Sequence, residues 1–135
     1  MDEGRQGILI AENISKRFGG TQALDSVSFC LKAGEVHALM GENGAGKSTL
    51  GKIFSGIHQP DGGTIWFEGE KISVENPKAA KQKGISIVLQ EFNLLPDLSV
   101  AENLIVGNDE YYKMFGCVLD KKKMYSHSKE LLGLF

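Results

Sequence analysis

One glycine-rich segment carries the residues best suited to chemistry. It has the sequence GENGAGKSTL from Gly41 onward and matches the pattern G-x-x-x-x-G-K-[ST] at every fixed position. Gly41, Gly44 and Gly46 allow the backbone to wrap around an anion, so that successive N–H groups point inward. Lys47 adds an ammonium group for the outer phosphates, and Ser48 adds a hydroxyl for Mg²⁺. The spacing therefore predicts a site for the phosphates of a nucleotide and their Mg²⁺.

The flanking sequence predicts the elements that this loop needs. Residues 36–40, VHALM, are a short and mostly apolar run that predicts a strand leading into the loop. Residues 47–55 have the apolar spacing of a helix, and Gly56 is expected to cap its C-terminus. Such a helix would direct its positive N-terminal end at the same anion. The predicted phosphate-binding residues are Gly41, Asn43, Gly44, Ala45, Gly46, Lys47, Ser48 and Thr49.

Four further runs of residues predict β-strands. Residues 8–13, 26–31 and 64–69 are short apolar or alternating segments. Residues 85–90, ISIVLQ, are mostly apolar and typical of a strand buried on both faces. Cys30 lies in an apolar run, so we expect a buried, reduced thiol.

Turn and capping residues mark the remaining boundaries. Residues 59–63 read QPDGG and predict a tight turn in which Asp61 bonds its own backbone. The pair Asn76–Pro77 predicts a helix that runs to residue 83. The segment Ser99–Glu102 fits a capping box and predicts a helix to about residue 106. Asp120 is expected to cap a last helix.

Length and composition exclude several classes of protein. The chain has 135 residues, of which 41% are hydrophobic and 24% charged, and its formal net charge is -2. The length argues for one domain or a piece of one, and the small net charge gives no overall attraction to nucleic acid or acidic lipid. No segment approaches the roughly 18 apolar residues of a spanning helix. We therefore expect no membrane insertion by the chain itself.

Over most of its length the sequence resembles the ATP-binding subunits of ABC transporters. The resemblance rests on NISKRFGG, on the glycine-rich loop, on SGIHQPDGGTIWFEGE and on ISIVLQEFNLLPDLSVAENL. It extends from about Ile8 to Leu132 and is strongest to bacterial monosaccharide importers of the ribose, xylose and galactose kind. The resemblance implies an α/β fold, with a P-loop NTPase core of the ABC type and an antiparallel β subdomain. Residues 36–40 and 85–90 would form that core.

The resemblance assigns roles to two residues outside the loop. Phe18 stands where the family places an aromatic ring that stacks on adenine. Without the resemblance, the preferred interpretation is that Phe18 is a residue of the hydrophobic core. Gln90 stands where the family has the glutamine that meets Mg²⁺ and the attacking water, whereas unaided it is a polar end of a strand. Residues 91–103 would receive a helix of the membrane subunit, and core packing explains them equally well.

Several residues that ATP hydrolysis needs in this family have no counterpart in the sequence. The 135 residues contain no LSGGQ-like string. Residues 8–12 and 116–120 imitate the apolar strand that ends in acidic residues, but the first precedes the loop and the second has only three apolar residues and no second acid. We therefore expect residues 1–135 to be the N-terminal part of a first nucleotide-binding domain, truncated before its helical subdomain and later parallel strands. Missing neighbours would leave an apolar edge exposed and favour self-association.

The resemblance also implies the function, cofactors and partners. ATP and Mg²⁺ would be the cofactors, with Lys47 and Gln90 as catalytic residues and Ser48 and Gln90 as metal ligands. In the full-length protein, hydrolysis would power sugar import from the cytoplasmic face of the cell membrane. The expected partners are a second nucleotide-binding module placed head to tail, membrane permease subunits and, indirectly, a sugar-binding protein.

Two alternatives to a transport ATPase stay open at this level. A small-molecule or nucleotide kinase usually needs an arginine-rich lid, and both arginines, Arg5 and Arg17, precede the loop. A nucleotide-binding module without catalysis is the other alternative. For the 135 residues alone, we expect binding of nucleotide with little hydrolysis.

Overall fold

The computed structural model describes residues 7–89, 94–107, 112–114 and 118–134. The chain divides into two compact units, Met1–Val88 and Leu89–Phe135. The glycine-rich loop and Phe18 belong to the first unit. Gln90 lies outside the described residues.

The first unit is built on a four-stranded antiparallel sheet. Its strands are β1 (Leu9–Phe18), β2 (Thr21–Leu31), β3 (Gly62–Phe67) and β4 (Glu70–Ile72), in the order β2-β1-β3-β4. The predicted antiparallel part is therefore confirmed. β1 and β2 are longer than the apolar runs that predicted them, because the two-residue connection at positions 19–20 lets their ladder continue to the turn.

Serine hydroxyls satisfy backbone groups where the β1 ladders are irregular. Register shifts interrupt the pairing of β1 with β2 and with β3. There the Asn13 N–H donates to Ser28 Oγ at 3.2 Å, and the Ser26 N–H donates to Ser15 Oγ at 3.0 Å. These hydrogen bonds give the two amides a side-chain acceptor where the ladder is interrupted.

One helix packs on this sheet and closes the core. Helix α1 (Lys47–Phe54) is confirmed where it was predicted, with its C-cap at Ser55 and Gly56 in the left-handed conformation just beyond. Its buried side chains interlock with buried residues of β1, β2 and β3. The buried members of this core are Leu9, Ala11, Ile14, Leu24, Leu50, Ile53, Phe54 and Ile65.

The capping predictions for the short helices are also confirmed. In α2 (Pro77–Gln82), the Ala79 N–H donates to Asn76 Oδ1 at 2.9 Å. In the second unit, α3 (Val100–Ile105) begins with a complete capping box between Ser99 and Glu102.

The second unit has its own small core. After α3 come the two-residue strands β5 (Lys113–Met114) and β6 (Val118–Leu119) and the helix α4 (Lys121–Leu132). As predicted, the Asp120 carboxylate caps α4. The buried apolar residues of this core are Ala101, Ile105, Tyr112 and Met124. Among the residues described, no helix is long and apolar enough to cross a membrane.

The two segments predicted as core strands beside the loop were assigned wrongly. Residues 36–40 and 85–89 have no strand pairing. Val36, Met40 and Val88 are 98%, 90% and 96% exposed. A strand exists through hydrogen bonds to a neighbouring strand, and no described segment pairs with either run. Apolar residues are thus exposed as expected, but in segments outside any sheet and not along a sheet edge, and self-association stays a prediction.

The burial predicted for Cys30 is also wrong, because its thiol is exposed. Side chains alternate along β2, so that Phe29 and Leu31 are half-buried while Ser28 and Cys30 are exposed. The apolar neighbours in sequence lie on the opposite face of the strand and do not cover the sulfur.

Ile14 offers a test of this core, because its side chain is 0% exposed at the centre of β1. We expect Ile14→Ala to lower the free energy of unfolding by about 2–5 kcal/mol through lost burial and a residual cavity. Urea denaturation followed by the fluorescence of Trp66, in β3, measures this change. Ile57→Ala, at an exposed isoleucine of the same unit, is the control; an equal effect of both substitutions would contradict the assignment of the core.

Candidate phosphate-binding site

The glycine-rich loop adopts the backbone conformation that its glycines allow. Gly41, Gly44 and Gly46 have φ values of 154°, 90° and 82°, a region that side chains disfavour. Gly46 is the N-cap of α1, and its carbonyl accepts the first helical hydrogen bond, from the Leu50 N–H at 2.9 Å. No described side chain caps this helix, and its first turn contains no acidic residue. The positive end of α1 is therefore left for an anion.

Gly46 also joins the loop to the sheet. A Cβ atom at this position would lie 2.5 Å from Leu24 Cδ2 and 2.6 Å from the Ala23 carbonyl oxygen. Leu24 is itself buried in the core. The start of α1 thus sits directly on β2, and only a residue without a side chain permits this approach.

The Lys47 side chain folds back over the loop. Its ammonium nitrogen donates to the carbonyl oxygens of Gly41 and Glu42 at 2.8 and 2.7 Å. A further hydrogen bond, from the Ala45 N–H to the Glu42 carbonyl at 3.2 Å, tightens the same turn. The carbonyl groups of the loop therefore hold the Lys47 ammonium, and with it a positive charge, beside the residues that are predicted to bind phosphate.

The predicted metal ligands are only partly described. Ser48 is exposed in the first turn of α1, where its hydroxyl is an oxygen donor of the kind that Mg²⁺ prefers. Within the described ranges, no group of three or more His, Cys, Asp and Glu residues is placed to hold a metal ion. Mg²⁺ at nucleotide sites commonly takes one or two protein ligands and completes its shell with phosphates and water, so Ser48 fits that role. The role of Gln90 stays a prediction.

The remaining residues of the predicted cradle lie at the surface. Asn43, Gly44 and Ala45 are exposed, and Thr49 is half-buried. The first three belong to the turn that leads into α1, and Thr49 lies in the first turn of the helix.

Phe18 lies at the end of β1 and is 42% exposed. This exposure contradicts the interpretation of Phe18 as a core residue. The ring meets the His58 ring edge-on, with centroids 5.0 Å apart and an interplanar angle of 66°. The Lys16 ammonium lies 5.5 Å from the Phe18 centroid, over the ring. Phe18 is thus an aromatic surface residue with two side-chain neighbours.

Asp61 holds the end of β1 that carries Phe18. Its carboxylate accepts from the Lys16 ammonium at 2.8 Å and from the Arg17 N–H at 2.7 Å. These two hydrogen bonds lower the pKa of Asp61 below its ordinary value, and the bond from Lys16 has the larger effect. The turn pattern of residues 59–63 predicts instead that Asp61 bonds its own backbone. Its partners lie more than 40 positions away, and the turn pattern carries no signal for them.

The family profile described as ABC transporter matches residues 24–133. The chain belongs to the ABC transporter family. It is 50% identical over 130 residues to the galactofuranose transporter ATP-binding protein YtfR of Escherichia coli (strain K12), which covers 96% of this chain and 25% of that protein. The ribose import ATP-binding protein RbsA of Shouchella clausii is 48% identical over 126 residues, covering 93% of this chain and 25% of that protein.

Solved structures support the same assignment. A nucleotide-free ATP-binding cassette from an ABC transporter is 34% identical, with a TM-score of 0.68, and covers 84% of this chain and 49% of that one. The ADP conformation of MJ1267, an ATP-binding cassette of an ABC transporter, is 34% identical, with a TM-score of 0.66 over 84% of this chain and 48% of that one. The predicted ABC-type fold is thereby confirmed. The chain spans about a quarter of the length of the curated relatives it matches.

Gly46 and Gly51 provide a matched pair of substitutions in and next to the loop. Gly46→Ala forces a Cβ into β2 at a positive φ, so we expect the free energy of unfolding to fall by about 1–3 kcal/mol. Gly51 lies inside α1, where a Cβ meets no neighbouring atom within 4 Å. Gly51→Ala is expected to raise the free energy of unfolding by up to about 1 kcal/mol through helix propensity. Urea denaturation measures both, and equal effects would contradict the packing of Gly46 on β2.

Asp61 is expected to make the stability of the first unit depend on pH. Its folded-state pKa lies below the value of about 3.9 for an unfolded chain, so its stabilising contribution is complete above that value and is lost as the pH falls through the folded pKa. The difference in free energy of unfolding between the parent chain and Asp61→Asn should therefore shrink as the pH falls below about 3.9. Glu70→Gln, at an exposed carboxylate on β4, controls for the loss of one charge. A difference that stays constant with pH would count against this ion pair.

Proposed function

We propose that residues 41–49 bind the triphosphate of ATP and that the protein hydrolyses this ATP to drive sugar import. The observation that carries the proposal is the loop itself, in which the Lys47 ammonium and the uncapped N-terminus of α1 converge on one turn. Helix ends and inward-facing amides stabilise phosphate without a covalent step. Lys47 leaves the carbonyls of Gly41 and Glu42 and pairs with the outer phosphates instead.

The other predicted residues complete the nucleotide site. Ser48 holds Mg²⁺ at the phosphates, and Mg²⁺ when bound neutralises charge that builds up during phosphoryl transfer. Phe18 stacks on adenine, for which its exposure and its place at the end of β1 are suitable. Gln90 meets Mg²⁺ and the attacking water, as the resemblance implies.

Sugar import is proposed from the relatives. Their names describe a galactofuranose transporter and a ribose importer, and we extend the class of transported sugar, a monosaccharide, to this protein. Its partners are then a second nucleotide-binding module, permease subunits and, indirectly, a sugar-binding protein, at the cytoplasmic face of the cell membrane. Residues 1–135 form part of one nucleotide-binding domain, with a phosphate loop at 41–49 and a glutamine loop around Gln90.

Hydrolysis requires groups that this sequence does not contain. It has no LSGGQ-like string and no run of four apolar residues followed directly by Asp-Glu. An acidic Mg²⁺ ligand and a group that orients water are what phosphoryl transfer to water needs beyond a phosphate cradle. The 135 residues by themselves therefore bind Mg·ATP and release little phosphate.

Lys47→Ala tests the phosphate site. Removal of a charged hydrogen-bond donor is expected to weaken binding of Mg·ATP about tenfold to a hundredfold. Isothermal titration of the 135-residue chain measures this change. Lys52→Ala, which removes a lysine from the last turn of the same helix, is the matched control and should bind as the parent does.

Two results would contradict the proposal. Equal loss of affinity in both variants would mean that net charge, and not the loop, binds the nucleotide. Steady-state phosphate release by the 135-residue chain that Lys47→Ala abolishes would show that the missing groups are not required.

A further inference from the structure

We propose that Asp61 and Lys16 are positioning residues for the base, because their ion pair fixes the Phe18 ring before nucleotide arrives. The inference rests on the proposed function, which makes Phe18 the partner of adenine. Neither residue needs to touch the nucleotide. Their effect is on the orientation of the ring.

Asp61 takes the place of a missing strand partner. The ladder between β1 and β3 ends at the pair Ser15 and Gly62, so the last three residues of β1 extend past β3. Asp61 lies just before β3, and its N–H donates to the Ser15 carbonyl at 2.8 Å while its carboxylate accepts from Lys16 and from the Arg17 N–H. The end of β1 is therefore held on the β3 side by the backbone and carboxylate of one residue.

Lys16 transmits this constraint to the ring. Residues 16 and 18 are two apart on a strand, so their side chains project from the same face. The Asp61 carboxylate holds the Lys16 ammonium, which lies over the Phe18 ring at 5.5 Å from its centroid. A cation over an aromatic face is attracted by the ring quadrupole.

His58 bounds the ring at a second place. Its ring meets Phe18 edge-on, and it stands three residues before Asp61. One segment of chain thus supplies the contact with the Phe18 ring and the carboxylate that anchors Lys16. A ring held in this way loses less conformational freedom when a base stacks on it, which is how preorganisation increases affinity.

The same residues connect the ring to the phosphate loop. Lys16 is the cross-strand partner of Leu24, and Leu24 is the residue on which Gly46 packs. The ring support and the loop support therefore meet at one pair of residues in the β1–β2 ladder. This pair places the predicted base contact and the predicted phosphate contact on one rigid element.

The test compares ATP with inorganic tripolyphosphate, which offers the phosphates without a base. For each variant, the measured quantity is the ratio of the dissociation constant for tripolyphosphate to that for ATP, both with Mg²⁺. Phe18→Ala is expected to lower this ratio about fivefold, since base stacking is removed. Asp61→Ala and Lys16→Met are each expected to lower it about threefold, and Lys16→Met retains most of the apolar stem.

Two further variants sharpen the test. Glu70→Ala removes an exposed carboxylate from β4. Glu70 is the strand partner of Phe67, at the opposite end of the sheet from Phe18. The ratio for this variant should equal that of the parent. In the Phe18→Ala background, Asp61→Ala should lower the ratio no further, because the ring that it positions is gone. Thermal unfolding of each variant confirms that it folds; if Asp61→Ala does not, Lys16→Met carries the test.

Each contrary result has a distinct meaning. If Phe18→Ala lowers the ratio but Asp61→Ala and Lys16→Met leave it at the parent value, the positioning role is overturned while the adenine contact stands. An Asp61→Ala effect that persists in the Phe18→Ala background also overturns it. If Phe18→Ala leaves the ratio unchanged, the adenine contact fails, and this inference fails with it. Failure of the parent chain to bind either ligand would overturn the proposed function itself.

Discussion

The candidate site depends on the close approach between Gly46 and β2. The start of α1 lies so near the Ala23 carbonyl and the Leu24 side chain that a Cβ atom has no room. This contact fixes where the helix begins, and so where its first amides and its dipole point. The left-handed φ of Gly46 and the folded-back Lys47 side chain belong to the same turn. A phosphate site made of backbone amides has no side chains to adjust, so its geometry must come from a rigid support such as this strand.

The antiparallel sheet supports more than the loop. β1 carries Phe18 at its end and contributes Ile14 to the core on which α1 packs. Between Ile14 and Phe18 on this strand stands Lys16, which pairs with Leu24 of β2. A sheet is suited to this task because its ladder hydrogen bonds limit the relative motion of neighbouring strands. The proposed contacts with the base and with the phosphates would then be held at a constant separation, which favours simultaneous binding of both parts of a nucleotide.

The capping predictions, which rest on neighbouring residues, were confirmed, and several predictions that depend on distant partners were wrong. The caps at Asn76, Ser99 and Asp120 formed as expected, because a capping side chain reaches only two or three residues along the chain. The apolar runs at 36–40 and 85–89 failed as strands, since nothing in a run specifies which segment will pair with it. Cys30 failed for a related reason, because burial depends on which face of β2 meets the core.

The amino-acid sequence by itself determined the glycine-rich loop, the helix that follows it and the family to which the chain belongs. These features depend on residue types at short fixed spacings, where local backbone geometry decides the outcome. Only the tertiary structure decided that Gly46 packs on Leu24, that Asp61 bonds Lys16 and Arg17, and that Phe18 is exposed beside them. Those contacts join residues about 20 to 45 positions apart, and chain folding alone brings them together. The physical reason is that hydrogen bonds and close packing act over a few ångströms in space, whatever the separation along the chain.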